Sequence, residues 1–189
     1  MNRATFLFVP CSLVWAACSG DERADAPRID ADAVELAEVS QALVPGEVFT
    51  FENEKTNDGT KMCIGVDGAS TDLGARLKLL ECDGSDSQRW RSIAATDSIN
   101  SAYENVKARG RCMGVDAGTN AGADIALLDC ESRPAQHWFF AGSTAALFNI
   151  INSRADALLC IGVDGGEPVS GAQLKQFECD FEAASQRWR

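Results

Sequence analysis

The stretch KLLECDGSDSQRW at residues 78–90 returns as ALLDCESRPAQHW at 126–138 and as KQFECDFEAASQRW at 175–188. The matches extend well beyond these strings. Cys63, Cys112 and Cys160 open the hexamers CIGVDG, CMGVDA and CIGVDG, spaced 49 and 48 residues apart. A second series, Cys82, Cys130 and Cys179, is spaced 48 and 49 apart. Gly74, Gly122 and Gly171 stand eight residues before that second cysteine, and Leu77, Ile125 and Leu174 stand five before it. Leu80, Leu128 and Phe177 stand two before it, and Glu81, Asp129 and Glu178 precede it directly. Each unit closes on Gln-x-Trp: Gln88-Arg89-Trp90, Gln136-His137-Trp138 and Gln186-Arg187-Trp188. Residues 46–189 are therefore three copies of a 48-residue unit, at 46–93, 94–141 and 142–189.

Within a unit the apolar pattern is short and alternating. Runs such as 48–51 (VFTF), 77–80 (LKLL) and 148–151 (FNII) predict strands of about four residues. Gly- and Asp-rich turns (NDGT, DGAS, DAGTN, DGGEP) separate them. No stretch sustains a helical period for three turns. The fold class is all-β, with four short strands per unit. Units this small cannot each bury a core, so three must share one. Propellers also use four-stranded units, but they need at least four blades. Three units suit a threefold-symmetric barrel capped by hairpins, a β-trefoil. Trp90, Trp138 and Trp188 would then ring the axis as structural core. By the period-two rule each glutamine faces the same side as its tryptophan, where its amide would bond turn backbone. The residue between them, Arg89, His137 or Arg187, would face out.

Six cysteines allow fifteen pairings. Equal local spacing in three copies favours Cys63–Cys82, Cys112–Cys130 and Cys160–Cys179, since a bond that fits one copy fits all. Zinc is the competing reading; spacings of 19, 18 and 19, without a close C-x-x-C or a second histidine, suit it poorly.

The first residues read as an export signal rather than as fold. A charge at Arg3 precedes the apolar 4–17 (ATFLFVPCSLVWAA). The sequence Trp15-Ala16-Ala17-Cys18 resembles a bacterial lipoprotein lipobox, in which Cys18 is lipidated and becomes the mature N-terminus; cleavage nearby without a lipid is the other reading. Residues 1–18 are thus assigned to signal and lipobox. Residues 19–45, acidic and free of aromatics, are expected to be a flexible tether or a trimmed pro-segment. Export to the cell envelope or beyond agrees with cystines. Contact with a membrane is expected only through that lipid. The net charge of −11, from 28 acids against 17 bases, argues against nucleic acid and against docking on anionic lipid.

Three units, each ending in Gln-x-Trp with a cysteine pair upstream, resemble the ricin B-chain-type β-trefoil lectins over residues 46–189. The resemblance implies a non-catalytic carbohydrate-binding module without cofactor or metal. Its partner would be a glycan or polysaccharide, held in up to three shallow sites. Galactose-binding members usually carry Asp two residues after the first cysteine; here Gly65, Gly114 and Gly162 stand there. An Asp follows two further on, at Asp67, Asp116 and Asp164. The family's stacking aromatic, two before the second cysteine, is Leu80, Leu128 and Phe177. The polar position four before it is Lys78, Ala126 and Lys175, and the residue before the glutamine is Ser87, Ala135 and Ser185. The third copy is therefore the best expected site, with Asp164, Lys175, Phe177, Ser185 and Gln186. The first copy offers Asp67, Lys78 and Ser87 without a ring, and the second offers two alanines.

Competing readings are plain ones. Val-Asp-Gly is turn chemistry and needs no ligand. Phe177 equally suits packing, and the three glutamines suit a structural role. His137 is the sole histidine and sits mid-motif. No G-x-S-x-G, P-loop or H-E-x-x-H occurs, so no catalytic residue is assigned. The loss of the sugar-holding Asp also fits a trefoil scaffold that binds a protein, as an adhesin or a hydrolase inhibitor.

Overall fold

The computed structural model describes residues 45–94, 101–116, 118, 120–131, 133–144, 147–152 and 158–189. The signal segment 1–18 with Cys18, and nearly all of the tether 19–45, lie outside the described residues. Among the described residues the chain forms eleven strands and no α-helix. The first copy gives β1 (Val48–Phe49), β2 (Met62–Val66), β3 (Leu77–Glu81) and β4 (Trp90–Ala94). The second gives β5 (Ser101–Asn105), β6 (Arg111–Val115), β7 (Ile125–Asp129) and β8 (Trp138–Thr144). The third gives β9 (Leu147–Asn152), β10 (Leu159–Val163) and β11 (Ala172–Glu178). A one-turn 3-10 segment leads into each Gln-x-Trp tryptophan, at Asp86–Gln88, Pro134–Gln136 and Ala184–Gln186; Trp90 and Trp138 begin strands, and Trp188 forms an isolated bridge.

Each copy folds its middle strands into a five-pair antiparallel hairpin: β2 with β3, β6 with β7, and β10 with β11. The three hairpins interlock in a ring. Gly74 N–H donates to Leu127 O, Gly122 N–H to Gln176 O and Gly171 N–H to Leu79 O, each at 2.7 Å. All three glycines have positive φ, 82°, 90° and 91°. Only a residue without Cβ takes that turn cheaply and still delivers its N–H to the next copy, which is why the position repeats. The remaining strands pair around the barrel, β1 with β4, β4 with β5, β5 with β8, β8 with β9 and β9 with β10.

The barrel closes through a short seam. Asn53 bridges Trp188; Glu52 and Arg189 exchange both backbone bonds at 2.9 Å, and Glu54 N–H donates to Arg187 O. Two ion pairs, Glu52–Arg189 and Glu54–Arg187, sit on it. Burial works against the Glu52 charge, but bonds from Lys61 and Arg189 outweigh it and hold the carboxyl below its usual range. Pairing thus uses residues 52–54 against 187–189, while β1 itself is spent on β4.

The tryptophans meet indoors as the repeat predicts. Trp90, Trp138 and Trp188 are fully buried in one core with Ile64, Met113, Ile161, Leu77, Ile125 and Leu174. Each indole Nε1–H donates to a backbone carbonyl of its own copy, Ile64, Met113 or Ile161, at 3.1 Å. Phe49, Phe51 and Tyr103 pack edge to face within the same core at 4.9–5.4 Å, with Phe140 tilted against them. The cystines Cys63–Cys82, Cys112–Cys130 and Cys160–Cys179 all form, with Cα–Cα distances of 5.0, 4.9 and 5.0 Å.

One expectation is corrected. Arg89 is exposed, and Arg187 lies against Glu54, but His137 is buried at 6% exposure. Alternation fixes which way a side chain leaves the strand; it does not fix whether neighbouring chain covers it.

The turn after Asp67 carries a local mismatch between residue and backbone. Ala69 has φ 53°, and the matching place in the third copy is Gly166 at φ 73°. Alanine in the left-handed region costs about 1 kcal/mol. Ala69→Gly is therefore expected to stabilise the domain by about that amount, read as a higher urea midpoint. A lower midpoint would show that the turn is unstrained.

Candidate functional site

The site is built on the β10–β11 hairpin. Gly162 pairs Lys175 across it, and Cys160 pairs Phe177. Directly paired residues share a face, so Phe177 stands over the cystine side of the hairpin. Its ring is half-buried and lies against Gly162: a Cβ added there would meet Phe177 Cδ2 and Gln186 Cγ, each at 2.9 Å. The sister copies repeat the arrangement with Leu80 over Gly65 (2.8 Å) and Leu128 over Gly114 (2.7 Å). A side chain at any of these three glycines would collide with that neighbour. The apolar side chain two before the second cysteine leans across the hairpin and occupies the volume a Cβ would need.

The aspartates two residues later are all ion-paired. Asp164 holds Lys175 at 2.7 Å and Asp67 holds Lys78 at 2.9 Å. In the second copy, where Ala126 replaces the lysine, Asp116 receives Arg76 of the first copy at 2.8 Å, and Arg76 also reaches Asp124 at 3.3 Å. The hydrogen bond to Asp164, helped by the charges of Asp164 and Asp124, holds the Lys175 ammonium above the ordinary lysine value. Asp164 is exposed and Lys175 half-buried, so this pair edges the Phe177 surface and presents both a donor and an acceptor to solvent.

The remaining expected residues divide between surface and scaffold. Gln186 is buried; its Nε2 donates to Glu178 O and its Oε1 accepts from Asp180 N–H. Gln88 and Gln136 make the same two bonds, to Glu81 O and from Asp83 N–H, and to Asp129 O and from Glu131 N–H. Ser185 is half-buried at the edge of the third copy. Ser87 is buried, its hydroxyl 2.8 Å from that of Ser85. The structure thus brings Asp164, Lys175 and Phe177 to one hairpin face, with Gln186 holding backbone beside Phe177 against Gly162; Ser185 is part-exposed in the turn just before that glutamine. Asp67 and Lys78 pair in the first copy beside Leu80, with no ring.

Three buried asparagines escape the repeat pattern. Asn105 Nδ2 donates to Ser87 O and Arg89 O, Asn152 to Ala135 O, and Asn53 to Ser185 O and Arg187 O. Each straps the Gln-x-Trp turn of one copy to the segment that opens the next around the closed barrel, Asn105 and Asn152 from β5 and β9 and Asn53 from just past β1. Their spacing, 52 and then 47 residues, breaks the 48-residue register, so alignment on the cysteines passes over them. Among the described residues, no group of three or more His, Cys, Asp or Glu is placed to hold a metal ion.

Comparison with known proteins bears on the fold. The family model for the ricin-type beta-trefoil lectin domain matches residues 54–188. A sequence comparison with curated proteins gives no match. Among solved structures, the chain is similar to ThreeFoil, a designed 3-fold symmetric protein, with TM-score 0.67 and 17% identity over 75% of this chain and 96% of that one. It is similar to the Macrolepiota procera ricin B-like lectin, solved with lactose, with TM-score 0.61 and 12% identity over 77% and 95%. It is also similar to part of an exo-beta-1,3-galactanase from Clostridium thermocellum, with TM-score 0.66 and 21% identity over 77% of this chain but 30% of the enzyme. The chain belongs to the ricin-type β-trefoil lectin domain family, whose domains are carbohydrate-binding and generally non-catalytic.

Proposed function

We propose that this chain is an exported, non-catalytic glycan-binding module whose working site is in its third repeat. The observation that carries the reading is Phe177. It is the one aromatic among the three equivalent positions, it is part-exposed, and it stands beside the Asp164–Lys175 pair. A flat ring offers a sugar's C–H face a contact that Leu80 and Leu128 do not, and the ion pair supplies hydroxyl partners at its edge. The family and the lactose-binding Macrolepiota lectin support a glycan as ligand. Three cystines and the lipobox-like 15–18 support export, with Cys18 as the lipid anchor and 19–45 as the tether. One shallow site holds a free sugar weakly; a polymer gains through repeated contacts.

A glycan array and polysaccharide pull-down test this. Phe177→Ala is expected to lower binding about tenfold, the effect of losing one stacking contact, while Leu128→Ala at the matching place leaves it unchanged. Equal binding by wild type and Phe177→Ala would remove the site. A second reading is a scaffold for a protein partner, favoured by the fact that Asp67, Asp116 and Asp164 are all engaged by cations of the chain itself. An array without hits, together with a co-purified protein, would favour that reading.

A further inference from the structure

The threefold repeat supplies its own control. What the scaffold needs recurs in all three copies, as the tryptophans, glutamines and hairpin glycines do. A surface feature present in one copy alone is not required by the fold. The turn after the second cysteine is such a feature. In the first two copies the glutamine Oε1 accepts from the N–H five residues earlier, Asp83 or Glu131. In the third, Gln186 reaches six residues back to Asp180. That turn carries one extra residue while keeping the same anchoring bond.

The longer turn carries Phe181, an aromatic exposed at 38%. Counted from the cysteine, its place is Gly84 in the first copy and Ser132 in the second. Opposite it the chain differs again. Cys179 N–H donates to Leu158 O at 3.1 Å, as Cys82 does to Lys61 O and Cys130 to Gly110 O. Leu158 is exposed at 54%, where the sister copies have a lysine and a glycine. Hairpin register puts Phe177, Cys160, Cys179 and Leu158 on one face, with Phe181 two residues further along. The copy that alone has the ring thus alone has an apolar continuation running outward from it.

We propose that the third repeat binds an oligosaccharide rather than a single sugar, with Phe177 under one ring and Phe181, on the lengthened turn, under the next. The proposal rests on the assignment of the sugar site to Phe177. The occupant is a glycan chain because the added surface extends the hairpin face that carries Phe177 and ends in a second exposed aromatic ring. A flat ring serves an adjoining sugar in the same way that the first ring serves its own.

Calorimetric titration separates the two levels. The probes are lactose, cellobiose, xylobiose and chitobiose, each beside the methyl glycoside of its non-reducing sugar. At least one disaccharide is expected to bind more tightly than its methyl glycoside, by roughly fivefold to tenfold. Phe181→Ala is expected to erase that advantage and leave the monosaccharide affinity unchanged; Phe181→Trp is expected to retain it. Unchanged melting temperatures show that the exposed substitutions leave the fold intact. Equal mono- and disaccharide affinity in the wild type, or an advantage that survives Phe181→Ala, overturns the second subsite while leaving Phe177 in place. Binding that survives Phe177→Ala, or no binding of any of the four disaccharides, overturns both.

Discussion

Full reduction of Cys63–Cys82, Cys112–Cys130 and Cys160–Cys179 is expected to unfold the domain at room temperature. Each bond closes a loop, with sequence separations of 19, 18 and 19. In the loop-entropy model a loop of that size contributes about 3 kcal/mol. Because the loops do not overlap in sequence, their effects add to a first approximation, and three together approach about 9 kcal/mol. Single domains hold a total of about 5–15 kcal/mol. Replacing one pair by alanines is therefore expected to cost about 3 kcal/mol and leave a folded domain, whereas losing all three removes most of the margin. Far-ultraviolet circular dichroism during titration with a phosphine reductant reads the outcome directly. A fully reduced domain that still melts cooperatively near the oxidised temperature would mean that the shared core suffices alone.

Trp138→Ala is the second large effect. The indole is fully buried among residues from all three copies, and its Nε1–H satisfies Met113 O. Removing it opens a cavity and orphans that carbonyl, for a loss of about 4 kcal/mol and a melting temperature lower by roughly 10 °C. Trp138→Phe separates the two terms. It keeps most of the apolar volume and loses the bond, for about 1–2 kcal/mol. Trp90 and Trp188 occupy equivalent places, so their alanine variants are expected to match Trp138→Ala closely. A variant that costs less than about 1 kcal/mol, the usual range for a surface change, would place its indole outside the shared core.

The scaffold was legible because its needs repeat. Core packing, the cystines, the Gln-x-Trp turn and the positive-φ glycines are demanded once per copy, so each writes itself three times at matched offsets. What did not repeat in register was harder to see. Asn53, Asn105 and Asn152 do the same work in each copy, but they stand 10, 7 and 8 positions before the next cysteine, which blurs the period. His137 is buried against the expectation of alternation because burial depends on what neighbouring segments cover, which strand alternation does not encode. In the sequence the glycines at 65, 114 and 162 stand out only as the place of an expected sugar contact. In the structure they are the seat of the apolar side chain across the hairpin, a contact between residues 14–15 positions apart that only the fold displays. Likewise the sequence offers Asp67, Asp116 and Asp164 as candidate ligands, and only the packed structure reveals that each already holds a cation from its own chain.

The site is the opposite case. Binding surfaces are free to diverge between copies, so the information lies in the differences: a ring at 177, a longer turn, exposed Phe181 and Leu158. Those differences are visible in the sequence, yet their meaning depends on their sharing one face of one hairpin.

A nitrogen-15 correlation spectrum titrated with an array-positive glycan tests most directly whether recognition is confined to the third copy. Amide shifts are expected to concentrate at 160–164 and 175–186, with the matching stretches 63–67 and 78–88, and 112–116 and 126–136, left still. Largest shifts in the first or second copy, or equal shifts in all three, would contradict it.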